Sequence, residues 1–138
     1  MELSPDRMTC AATLGNLNVL TAFVGECAGR CGLAPKRTSG LLVAVEEAFV
    51  NICHYAYTGG KGSVEISCTT SGDAFLLAIA DSGSPFNVLS LPEPDTTLDA
   101  TDRAVGGLGI HLIRTLCDSV SYRRENNRNI LQMTFLRV

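Results

Sequence analysis

The sequence predicts an α+β domain: a two-layer α/β sandwich in which a largely antiparallel mixed sheet carries its helices on one face. Two observations carry that reading. Two long stretches repeat apolar residues at helical spacing, and four shorter ones alternate apolar with polar and fall into two pairs, each pair joined by a short polar turn. The length of 138 residues suits one domain built on one core.

The elements follow in order. A short strand is expected over residues 8–13. A helix follows over 16–30, with Leu17, Leu20, Phe23, Val24 and Cys27 at apolar positions and Gly32 as its stop. A second helix is expected over 34–57, ending at Gly59-Gly60. Residues 63–70 and 75–80 alternate and are joined by Ser71-Gly72-Asp73, a hairpin signal. Residues 81–105 show no period and include Pro85, Pro92 and Pro94 among acidic residues. A short helix over 109–117 precedes two closing strands, 119–125 and 129–137, turned by Asn126-Asn127-Arg128.

Composition narrows the function. There are 11 basic and 14 acidic residues, a net charge of −3, and no basic run, so direct nucleic-acid binding lacks its electrostatic drive. Neither a signal-like apolar start nor a stretch of membrane-spanning length occurs, so the expectation is a soluble, cytoplasmic protein with no membrane contact. The six cysteines lack a C-x-x-C pair and read as free thiols in a reducing compartment, with neither zinc nor disulfides.

Three motifs carry chemistry. At about 100° per residue, Leu41, Val45, Ala48, Phe49, Ile52 and Ala56 share the side of the second helix expected to face the sheet. Opposite them, within roughly 60°, stand Glu47, Asn51 and His54, flanked by Val43, Ala44, Val50 and Tyr55. Such a stripe suits an ordinary solvated face. Its apolar rim also suits the floor of a site, where the oxygens of Glu47 and Asn51 match a magnesium ion. Asp81-Ser82-Gly83 ends a strand, and Gly106-Gly107-Leu108-Gly109 opens a helix whose free N–H groups favour an anion. Either glycine motif also suits a plain turn. A Walker A loop is excluded because Gly62 follows Lys61, and a dinucleotide fingerprint because Leu112 stands where its last glycine belongs.

Taken in order, Glu47-Ala48-Phe49-Val50-Asn51, Asp81-Ser82-Gly83-Ser84-Pro85-Phe86 and Gly107-Leu108-Gly109 resemble the GHKL ATPase superfamily. Within it the short chain looks like the anti-sigma-factor serine/threonine kinases. That resemblance implies the histidine-kinase-type ATPase fold and binding of ATP or ADP with Mg2+. It implies Glu47 as general base, Asn51 as magnesium ligand, Asp81 on the adenine amino group and Gly83 against the base. Gly107, Leu108 and Gly109 would bracket the phosphates, residues 87–105 would form a lid, and Arg103 and Thr134 would join the nucleotide contacts. The implied partners are an anti-anti-sigma protein of the STAS type and a sigma factor, with a homodimer as the assembly. A nucleotide-holding switch without efficient transfer is the alternative. One departure is plain: many relatives carry His four residues after the Asn, whereas here Tyr55 stands there and His54 comes one earlier.

Overall fold

The computed structural model describes residues 6–57, 61–90 and 107–137. The chain opens with strand β1 (Asp6–Ala11) and a 3-10 turn (Leu14–Asn16). Helices α1 (Leu17–Arg30) and α2 (Pro35–Asn51) follow, and α2 continues as a π-helical turn over Ile52–Ala56. Strands β2 (Ser63–Ser71) and β3 (Ala74–Asp81) form a hairpin, and a 3-10 turn covers Val88–Ser90. Helix α3 (Gly107–Leu116) leads into the hairpin of β4 (Ser119–Glu125) and β5 (Arg128–Leu136). The sheet order is β1-β2-β3-β5-β4, and all four pairings are antiparallel. The α+β class is as expected. The parallel component of a mixed sheet is absent among the described strands, because their neighbours are hairpin partners or join through long excursions that return antiparallel.

Local chemistry explains the boundaries. Gly32 adopts φ 76°, and the end of α1 closes as a Schellman motif: Leu33 N–H donates to Ala28 O at 3.0 Å and Gly32 N–H to Gly29 O at 3.2 Å. Pro35 occupies the first turn of α2, where its missing N–H is no loss. Asn126 and Asn127 both hold positive φ, 53° and 61°, so the last hairpin turns on two residues and Arg128 already pairs with Glu125. The expected stop at Gly59-Gly60 lies outside the described residues.

The core sits between the inner sheet face and the helices. The cross-strand pairs Phe75–Phe135, Leu77–Met133 and Ile79–Leu131 are buried and form its floor. Leu20, Val24 and Cys27 of α1, Leu41, Val45, Ala48 and Phe49 of α2, and Ile110 and Ile113 of α3 close it from above. The apolar side expected of the second helix is therefore the buried side, with Ile52 and Ala56 included. All six cysteines are free thiols, and burial raises the thiol pKa of Cys68 and brings that of Cys117 to about 12. No helix among the described residues is long and apolar enough to cross a membrane.

Candidate functional site

The ladder between β3 and β5 changes character at its last rung. After three apolar pairs comes Asp81 opposite Asn129, both buried, at 3% and 4% exposure. Asp81 Oδ1 accepts hydrogen bonds from Gly83 N–H and from Asn129 Nδ2, each at 2.9 Å. Gly83 is held against the π-helical turn: a Cβ there would lie 2.4 Å from the carbonyl oxygen of Ala56, so no other residue fits without moving backbone. Beside it, Ser84 N–H donates to the same oxygen at 3.0 Å. The Tyr57 hydroxyl accepts from Ser82 N–H at 2.8 Å and donates to Ser63 O at 2.7 Å, tying the loop to the start of β2. Arg124 reaches across to Gly83 O at 2.9 Å.

These contacts frame a narrow recess that opens to solvent. Ala48, Ile52, Ile79, Val88 and Leu131 make apolar walls, Phe86 and Tyr122 add rings, and Asp81 and Asn129 supply the polar end. Tyr55 stacks on Phe86 with ring centroids 5.0 Å apart. An apolar slot ending in one carboxylate suits a flat heterocycle that carries a hydrogen-bond donor.

Glu47 and Asn51 stand on the last turns of α2. Asn51 is 1% exposed; its Nδ2 donates to Glu47 backbone O at 2.7 Å, while its Oδ1 is buried and unpartnered. An orphaned buried acceptor is uncommon and calls for a partner such as an ordered water, an ion or a ligand. A hard oxygen of this kind fits a magnesium ion. Glu47 is half-buried, and burial, then the neighbouring Glu46 charge, pushes its carboxyl pKa up. The polar stripe expected on the solvated side of the helix is therefore not one face. Asn51 is buried, Glu47 half-buried and His54 exposed, with Ala44 in the core and Val43 exposed. Besides sharing the core with the sheet, α2 packs on α1 and on α3, so its buried arc is wider than one partner surface would make it and takes in Ala44 and Asn51. The π-helical turn then breaks the 100° rotation before His54, whose ring meets Tyr55 edge-on at 6.4 Å.

The glycine motif opens α3, which begins at Gly107, two residues before the expected start. The backbone of Gly107, Leu108 and Gly109 forms its first turn, where N–H groups lack intrahelical acceptors. Contacts at the far end set the helix direction. Gly40 of α2 abuts Leu116, and Arg37 pairs with Asp118 at 2.8 Å. The start of α2 thus meets the end of α3.

One expected contact is not assembled here. Thr134 is corrected: it lies on the outer sheet face, opposite Leu76 and Ser119, because the inward positions of β5 are Asn129, Leu131, Met133 and Phe135. Arg103 and the lid beyond residue 90 lie outside the described residues. Conversely, Asn129 and Tyr122 escaped the sequence reading. The signal for Asn129 was present as a carboxamide at an inward position of an otherwise apolar strand.

Residues 10–135 match the Histidine kinase-like ATPase domain family. The chain is 31% identical to the serine-protein kinase RsbW of Bacillus pumilus, over 87% of this chain and 78% of that one. It is 30% identical to the RsbW of Halalkalibacterium halodurans, over 92% and 80%. Among solved structures, the RsbU and RsbW domains of a Mycobacterium tuberculosis protein superpose with a TM-score of 0.67 at 15% identity, covering 97% of this chain and 32% of that one. A blue-light activated histidine kinase of Erythrobacter litoralis superposes with a TM-score of 0.57 at 14% identity, over 89% and 41%. At those identities the two structures speak for the fold, and this chain spans less than half of either. The chain is thus a member of the histidine kinase-like ATPase domain family, on the branch of the RsbW serine-protein kinases.

Proposed function

We propose that this chain uses ATP to phosphorylate a serine or threonine hydroxyl of an anti-anti-sigma partner of the STAS type, and that the phosphorylation state of that partner governs a sigma factor. The observation that carries the reading is the unpartnered buried Oδ1 of Asn51 one helical turn from the half-buried carboxylate of Glu47. An acceptor waiting for a cation beside a base of raised pKa is what phosphoryl transfer to a hydroxyl asks of a protein, since the reaction is mostly positioning and charge neutralisation.

In this reading the recess at Asp81 takes the adenine ring, with the carboxylate accepting from its amino group. The first turn of α3 directs N–H groups at the phosphates. Asn51 Oδ1 would hold magnesium, which when bound offsets the charge of the phosphate oxygens. Glu47 accepts the proton of the attacking hydroxyl as its oxygen bonds to the γ-phosphorus, and the bond to the bridging oxygen breaks to leave ADP. The upward shift of Glu47 brings its basicity nearer neutral pH, where a general base is most effective.

Replacing Glu47 with Gln tests this. The change keeps the side chain's size and removes the proton acceptor. Partner phosphorylation should fall about 10²- to 10⁴-fold, with nucleotide affinity changed no more than a few fold. A wild-type protein that binds ATP with magnesium yet transfers nothing to any serine-bearing STAS partner would instead be a nucleotide-dependent switch.

A further inference from the structure

We propose that Asn129 is a positioning residue that holds Asp81 in the one orientation that selects an amino-bearing purine. The proposal rests on the reading of Asp81 given above and adds a second residue to it. Asn129 spends its whole hydrogen-bonding capacity. Its Nδ2 donates to Asp81 Oδ1 at 2.9 Å and to Ser84 O at 2.8 Å; its Oδ1 accepts from Tyr122 OH at 2.7 Å and from Phe86 N–H at 3.1 Å.

Only one setting of the amide satisfies these partners. Turned over, its oxygen would face a carboxylate oxygen and a carbonyl oxygen, and its nitrogen would face the fixed N–H of Phe86. The Tyr122 hydroxyl can rotate to suit either setting, so it tightens the arrangement rather than choosing it. The choice comes from backbone groups of the loop 82–86, which Gly83 and Ser84 pin to Ala56.

The consequence falls on Asp81. Both of its protein hydrogen bonds, from Gly83 N–H and Asn129 Nδ2, arrive at Oδ1. Among the described residues Oδ2 meets no donor, and the carboxylate lines the recess. A ligand in the recess therefore meets an acceptor in a fixed place. That acceptor matches the exocyclic amino group of adenine and repels the carbonyl that hypoxanthine carries at the same position. Without Asn129 the carboxylate is held from one side only and turns about its own axis, so the distinction weakens.

Calorimetry on the full chain with magnesium and ATP or inosine triphosphate tests this in wild type, Asp81→Asn, Asn129→Asp and Tyr122→Phe. Asp81→Asn should lose about 10- to 150-fold in ATP affinity. In Asn129→Asp at pH 8 two neighbouring carboxylates repel, and ATP affinity relative to wild type should drop at least about tenfold. At pH 5.5 the two share a proton, the donor to Asp81 returns, and the loss should shrink to a few fold. A purely structural role would give a loss that does not recover with acid. Tyr122→Phe keeps the ring and should lower the ATP-to-inosine-triphosphate ratio about 2- to 10-fold with little change in melting temperature. It decides the matter alone if Asn129→Asp does not fold. Should Asp81→Asn weaken ATP while both other variants keep the wild-type ratio at both pH values, the positioning role is overturned and the reading of Asp81 stands. Should Asp81→Asn bind ATP like wild type, both fall.

Discussion

Replacing Gly83 with Ala is the sharpest test of how this site is built, because the obstacle is backbone. The added methyl would sit 2.4 Å from Ala56 O, 2.8 Å from Ala56 C and 2.9 Å from Ala56 Cβ. No flexible side chain can swing aside, so the loop must lift off the π-helical turn. Overpacking of this kind costs about 1–3 kcal/mol. Lifting the loop also lengthens the 3.0 Å bond from Ser84 N–H to Ala56 O, a loss of about 0.5–1.5 kcal/mol. Together they amount to about 1.5–4.5 kcal/mol, which for a domain of this size lowers the melting temperature on the order of 10 °C. The displaced loop carries Gly83 N–H away from Asp81, so ATP affinity should fall as well, by about tenfold. Gly25 is the internal control. It lies within α1 and a Cβ there meets nothing within 4 Å. Gly25→Ala should therefore stabilise by about 0.5–1 kcal/mol and leave ATP binding alone. Thermal melts and calorimetry on both variants settle the matter. A Gly83→Ala protein that melts within about 2 °C of wild type would refute the claim that the loop and the π-helical turn are locked together.

Three further outcomes follow from the same geometry. Asn51→Leu removes an orphaned buried acceptor and one side-chain bond to Glu47 O; melting temperature should hold or rise while magnesium-dependent nucleotide binding is lost, and a large drop in stability would show that the carboxamide is structural. Burial makes Glu47 easier to protonate in the folded chain than in the unfolded one, so its contribution favours folding at low pH and is lost as pH rises through the raised pKa. Glu47→Gln should therefore melt higher, relative to wild type, at pH 8 than at pH 4, and the acid limb of the wild-type rate profile should lie above the ordinary carboxylate range; equal differences at the two pH values would count against a buried base. Tyr57→Phe strips the hydroxyl that joins Ser82 N–H to Ser63 O and should cost about 0.5–1.5 kcal/mol in chemical denaturation, with ATP affinity weakened in step because the Asp81 loop loses a tether.

The sequence by itself determined the element order, the hairpins, the sheet-facing side of α2 and the ordered motifs at Glu47, Asp81 and Gly107. Each of these is written in local periodicity, turn chemistry or spacing along the chain. The tertiary structure alone decided which polar residues are buried. The wheel of α2 placed Asn51 with His54 because a wheel knows one partner surface, whereas the helix has three. The π-helical turn after Asn51 had no sequence signal, yet it carries the carbonyl against which Gly83 and Ser84 rest. Register decided between Asn129 and Thr134. The two are five residues apart on one strand, so they point to opposite faces, and only the pairing with β3 tells which face holds Asp81. Pairing between strands remote in sequence is a long-range choice made by burying one face of each, and for that reason the residue that orients Asp81 becomes visible only once the sheet is assembled.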